Sequence, residues 1–265
     1  MELLLNGFPI FLLIFCRITA FFVVAPIFST NSVPATFKVG LGFFVSVLVF
    51  LVYGVKQSIV PDATYLLEVA KEIMVGLLLG YVVYLFFSVV HYAGAFIDMQ
   101  VGFSMVNVID PLSGVSSPLT GNLKYMLLAL VFLSMNGHHY LLKALMESYQ
   151  WIPLQSELFA AVGNGTVSGI LIRFFSQSFL LALQLSAPIM VAMFLTDVGL
   201  GFLARTAPQY NVFVIGAPLK ILVGMIMLIL LMPTLGLLFD KLFSVLFHAL
   251  DELVVSIQPS RAGGP

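Results

Sequence analysis

Charge is what this sequence most lacks. Only 9% of its 265 residues are Asp, Glu, Lys or Arg, against about 25% in an ordinary soluble domain. Eleven basic and twelve acidic side chains cannot coat a water-facing surface for a chain of this size. The net charge of −1 also leaves no basic stripe to neutralise phosphates, which excludes a nucleic-acid binder. Cys16 is the single cysteine, so neither an internal disulfide nor a cysteine-based metal cluster can form. There is no GxSxG nucleophile elbow, no phosphate-binding glycine loop and no HExxH helix, and the carboxylates lie far apart in sequence. No catalytic residue, metal site or cofactor is expected.

What is abundant is apolar surface. Hydrophobic residues make up 61% of the chain, and the mean hydropathy is +1.11. These values exclude disorder and predict an integral membrane protein or a membrane-complex subunit. A helix crossing the hydrocarbon core needs about 20 apolar residues. Six segments qualify: Phe8–Phe28, Phe37–Val55, Ile73–Phe96, Leu123–Met146, Gly169–Leu195 and Val212–Phe239. The predicted class is therefore all-α and polytopic, with a single membrane domain over 1–257 and a short polar tail over 258–265. Glu2 precedes the first run and Arg17 interrupts it, so that run is expected to stay as structure and not to act as a cleaved signal. With six crossings, Lys56, Lys71, Lys143, Lys241 and Arg261 oppose Lys38, Lys124 and Arg205, a bias too weak to orient the chain.

The spans look broken. Pro26, Pro188, Pro218 and Pro233 lie in or at the ends of apolar runs, and proline removes a backbone donor and blocks the preceding turn. Broken helices at membrane depth survive where protein or a water-filled cavity covers the freed groups. Gly76 with Gly80, Gly165 with Gly169, Ala93-Gly94-Ala95 and Gly199-Leu200-Gly201 supply small residues for close helix packing.

Four ionisable residues, Arg17, Asp98, Asp197 and Lys220, sit in or beside apolar surroundings. A charge at a helix centre costs roughly 2.5–3.5 kcal/mol on insertion scales. These four are expected to pair across subunits, to line a polar conduit, or to reach the membrane edge along an aliphatic stem. His138 and His139 are neighbours and point about 100° apart on a helix, unlike the i, i+4 spacing of a zinc pair. After Asn136-Gly137 they read as a polar contact at a helix entry.

The stretch Asp98–Asn122, DMQVGFSMVNVIDPLSGVSSPLTGN, is long for a membrane loop and has no basic residue. It mixes Met99, Phe103, Met105, Val106 and Val108 with the turn-makers Asp110-Pro111, Ser113-Gly114 and Pro118. It cannot cross a bilayer as one regular helix, and its apolar residues are ill-suited to open water. A re-entrant or pore-lining loop satisfies both conditions, with methionine able to seal a gap and repack; an ordinary surface loop with apolar anchors is the alternative. A second block, ARTAPQYNVFVIGAPLK over Ala204–Lys220, joins a polar turn to an apolar run interrupted by Gly216 and Pro218, the pattern of a discontinuous helix.

These two blocks, with NGHHYLLKALMES over Asn136–Ser148, resemble the FliR family of flagellar biosynthesis and type III secretion export-gate subunits. The resemblance runs from the first segment to about Leu253, and its wording favours the flagellar branch. It implies a gate subunit in the bacterial inner membrane, at the flagellar basal body. FliP-like and FliQ-like subunits would complete the gate, and an FlhB-like component would associate with it. Unfolded flagellar export substrates would pass through in transit. It further implies helices that rise in a helical complex, much of it above the membrane plane, with lipid as only one of the surfaces met. The family's plug loop falls at Gly102–Asn122, so Gly102, Phe103, Ser104, Met105, Val106, Asn107, Asp110, Pro111 and Gly114 would form the seal here. The block carrying Arg205, Pro208 and Gln209 would pack against neighbours. The rival readings are a stand-alone secondary transporter or channel with discontinuous helices, which should show paired repeats, and an intramembrane enzyme using His138, His139 and Asp98.

Overall fold

The computed structural model describes residues 2–30, 33–54, 64–103, 118–154, 163–209 and 211–257. Every regular element among them is helical. In chain order they are α1 (Glu2–Val24), α2 (Ala35–Val49), α3 (Tyr65–Val101), α4 (Leu119–Ser134), α5 (Gly137–Trp151), α6 (Thr166–Thr206), α7 (Val212–Leu231) and α8 (Leu235–Ile257). Short 3₁₀ turns cover Pro26–Phe28 and Met232–Thr234, and a wider π turn, Phe50–Gly54, ends α2. Five helical stretches are long and apolar enough to cross a membrane, and the bent pair α4–α5 makes a sixth. The all-α polytopic expectation is met.

Four local expectations are corrected. Leu123–Met146 is not one run, because α4 and α5 meet at 71°. Asn136 makes that corner in the left-handed region, at φ 57°, which a short polar side chain tolerates. Pro188 lies inside α6 and Pro218 inside α7, so neither ends its helix. The breaks fall at the polar turn before α7 and at Met232–Thr234, where Pro233 starts a tighter turn. Lys71 is no loop residue: it lies in α3 with 2% exposure. Finally, the His138 and His139 rings do meet, with centroids 4.2 Å apart, in the first turn of α5.

The chain divides into two compact units. The first comprises Met1–Leu85, Met135–Phe175 and Val245–Pro265. In it α1 and α3 approach closely through glycine: a Cβ on Gly76 would overlap the Arg17 carbonyl, and one on Gly80 would stand 3.0 Å from Val24 Cβ. Ile10, Leu13, Ile14 and Ile18 of α1 and Val75, Leu79, Val82 and Val83 of α3 are buried there. The second unit comprises Phe86–Ser134 and Ser176–Ser244. Its α3–α4 contact is backbone on backbone, since a Cβ on Gly94 would fall on Gly121. Phe132 packs edge to face on both Phe87 and Phe243, with centroids 5.2 and 5.1 Å apart.

Candidate functional site

In the second unit, Asp98 holds both ends of the loop predicted to seal a channel. It lies one turn before the end of α3, where Gly102 N–H closes on the Asp98 carbonyl at 3.0 Å. Gly102 then turns at φ 99°, a conformation open to glycine at little cost. On the returning strand of chain, Pro118 starts α4, and Asn122 N–H donates to its carbonyl at 2.9 Å. Thr120 comes back to the Asp98 carboxylate. Its backbone N–H stands 3.3 Å from both oxygens. Its hydroxyl lies 2.6 Å from Asp98 Oδ1 and 3.0 Å from the Gly94 carbonyl, and can donate to either. Asp98 and Thr120 are both buried, at 4% and 5% exposure. Only the close approach of Gly94 to Gly121 lets these groups meet.

Phe103 follows Gly102 and packs onto a buried cluster of Ile97, Val101, Ile189 and Met193. Val223, Met227, Leu228 and Leu231 of α7 complete this bed. Phe103, the second residue of the predicted seal, is thus anchored on α3 and α6 of its own unit. Ser104, Met105, Val106, Asn107, Asp110, Pro111 and Gly114 lie outside the described residues, as does the tail over 258–265.

Asp197 of α6 and Lys220 of α7 form an ion pair of 2.6 Å. They are partly exposed, and the helices around them present Phe194, Leu195, Phe202, Val214 and Leu222 outward. Arg205 stands in the last turn of α6, where a cation complements the helix dipole. Pro208 and Gln209 are exposed in the turn that follows.

Arg17 belongs to the first unit. Its guanidinium donates from Nε to Glu72 Oε2 at 2.6 Å and from Nη2 to Glu72 Oε1 at 3.0 Å. Nη1 donates to Ser148 Oγ at 3.1 Å, and Nη2 also to the Ile152 carbonyl at 3.0 Å. The Tyr149 ring lies 4.1 Å from the guanidinium carbon. Next to this pair, Lys71 bridges Glu68 and the Leu154 carbonyl. Sequence reasoning missed Glu72, because its charge placed it outside the third apolar segment. The signal was Arg17 itself: a cation inside an apolar run requires an anion from another run. Thr120 was missed too, since a lone threonine in a polar block carries no distinguishing pattern.

Among the described residues no cluster of three His, Cys, Asp or Glu side chains could hold a metal ion. His138 and His139 belong to the first unit and Asp98 to the second.

The comparisons agree with the motifs. The sequence profile of the family described as bacterial export proteins, family 1, matches residues 8–246. The chain is similar to the flagellar biosynthetic protein FliR of Bacillus subtilis (strain 168), with 40% identity over 257 residues, covering 97% of this chain and 99% of that protein. It is 31% identical over 238 residues to the FliR of Escherichia coli (strain K12), covering 90% of each. It is 34% identical over 217 residues to the Yop proteins translocation protein T of Yersinia pestis, covering 81% of this chain and 82% of that one. With the profile spanning nearly the whole chain and a full-length relative at 40% identity, this protein belongs to family 1 of the bacterial export proteins, the family that the FliR-like motifs implied.

Proposed function

We propose that this chain is a subunit of the flagellar type III protein export gate, and that the segment 102–122 is the plug of its channel. Family membership and apolar helices support an export-apparatus subunit of the membrane. The observation that carries the plug is the root formed by Asp98 and Thr120. A loop that seals a channel must be fixed at its ends while its middle adapts to a passing polypeptide. Asp98 ties the outgoing and returning chain together with buried hydrogen bonds, and Phe103 is bedded in an apolar cluster. Between Phe103 and Thr120 the sequence runs through Met105, Val106 and Asn107, then Asp110, Pro111 and Gly114. Methionine and phenylalanine close the channel to ions and repack around an extended chain. The role is mechanical, with no catalytic step and no cofactor.

The partners are FliP-like and FliQ-like gate subunits and an FlhB-like component, in the inner membrane at the flagellar basal body. Exposed apolar residues along α6 and α7, around the Asp197–Lys220 pair, provide the packing surface. A Cβ on Gly199 or Gly201 would meet nothing within 4 Å in this chain, which leaves room for a neighbouring helix. Residues 1–257 act as one gate domain, with 258–265 as an appended tail. The test replaces residues 104–117 with a shorter Gly/Ser linker and leaves the root intact. The gate should still assemble and co-purify, and the membrane should become leaky to small ions. Unchanged conductance with normal assembly rules out the plug.

A further inference from the structure

A lysine stands in the same packed face of α4 that the plug root uses. The residues that α4 buries are Thr120, Gly121, Lys124, Leu128 and Phe132. Thr120, Lys124, Leu128 and Phe132 recur at every fourth position, so they form one stripe along the helix. Thr120 of that stripe binds Asp98, and Gly121 beside it lies against Gly94. Lys124 is 7% exposed. Helical side chains lean toward the N-terminus of their own helix, which carries the Lys124 stem back over Thr120 toward Asp98. Asp98 is its charged neighbour. Among the described residues of the second unit, these two are the buried side chains of Asp, Glu, Lys or Arg, and their signs are opposite.

We infer that Lys124 is a positioning residue of the plug root: its ammonium balances the buried Asp98 carboxylate and so holds Thr120, with the returning chain, against the end of α3. The inference rests on the reading of 102–122 as the plug. The N–H and hydroxyl of Thr120 are neutral donors. They orient the carboxylate but do not cancel its charge. The N-terminus of α4 adds only about half a unit of positive charge. A buried anion held this way still requires a cation, and a lysine in an otherwise apolar stripe is costly unless it meets an anion. Each charge removes the cost of the other, and the carboxylate stays fixed to accept from Thr120. Arg17 and Glu72 meet the same requirement in the first unit.

The test is a double-mutant cycle on the full chain in mixed micelles, read by SDS titration of helicity. Lys124→Met keeps the apolar stem and removes the charge. It should lower the ratio of folded to unfolded chain roughly a hundredfold, as loss of one partner of a buried pair does. Asp98→Asn should do the same, because it leaves the ammonium uncompensated. The variant carrying both changes should lie within about tenfold of the unaltered chain, and so should Lys124→Arg. In the assembled gate, Lys124→Met should raise ion conductance, and adding Asp98→Asn should lower it again. Two losses that simply multiply in the double variant overturn the inference and leave the plug reading standing, since this cycle needs no gate. Conductance that rises further when Asp98→Asn is added to Lys124→Met also overturns it. So does a Lys124→Met gate as tight as the unaltered one while the linker replacement of 104–117 leaks. Failure of the plug reading shows separately in that replacement, which keeps both Asp98 and Lys124.

Discussion

Replacing Glu72 with alanine should destabilise this protein by about 3–5 kcal/mol, the cost of removing one member of a buried ion pair. Both partners have no exposed side-chain surface, so neither water nor salt can stand in for the lost charge. Arg17 would keep its bonds to Ser148 and Ile152 and its place on the Tyr149 ring, but it would lose the contacts at 2.6 and 3.0 Å that neutralise it. Ser148→Ala removes one charge-assisted acceptor and should cost about 1.5–3 kcal/mol. Tyr149→Phe keeps the ring under the guanidinium and loses only a 3.2 Å bond to the Ile14 carbonyl, about 1 kcal/mol. The double variant Arg17→Met with Glu72→Leu removes both charges at similar volume and should recover most of the loss. The assay is SDS titration of the full chain in mixed micelles, followed by helicity. The reasoning fails if Glu72→Ala stays within about 1 kcal/mol of the unaltered chain, or if the double variant is no more stable than the single one.

Other outcomes follow from the second unit. Gly94→Ala puts a Cβ onto the Gly121 backbone; forcing α3 and α4 apart should cost about 3 kcal/mol or more and lower the amount of folded chain recovered from membranes. Thr120→Val keeps the shape and removes the hydroxyl 2.6 Å from Asp98; a loss of about 1–3 kcal/mol at the root should appear as raised ion conductance of an assembled gate. Asp197→Lys and Lys220→Asp should each reduce co-purification of gate subunits. The double exchange should restore it, because it reverses the 2.6 Å pair without abolishing it.

The sequence showed helices well and corners poorly. Hydropathy integrates over about 20 residues, so the run Leu123–Met146 hid a corner only a few residues wide, although Asn136-Gly137 marked the place. Proline misled in the opposite direction. Pro188 and Pro218 remain inside α6 and α7, and membrane helices tolerate proline where neighbouring groups satisfy the freed carbonyl. Pro26 and Pro233 coincide with breaks because a tighter turn begins there. Of the candidate site residues, the four stranded charges were identifiable one by one, since charge inside an apolar run needs a partner. Their partners were not identifiable: Glu72 lies 55 residues from Arg17 and Thr120 lies 22 from Asp98. Asp197 and Lys220 were both picked out, but their pairing needed the antiparallel return of α7 along α6.

Helix length has a consequence for the life of the chain in the cell. At 1.5 Å per residue the 41 residues of α6 extend about 60 Å, roughly twice the hydrocarbon thickness. Only 22% of an apolar 18-residue stretch of that helix is buried within the chain. Lipid can solvate about half of its greasy length, and the remainder meets water until other subunits arrive. An unassembled copy therefore displays the kind of surface that chaperones and membrane proteases bind. Its abundance should follow the supply of its partners: overproduced alone it should be short-lived, and co-expression should lengthen its half-life without any change to its own sequence.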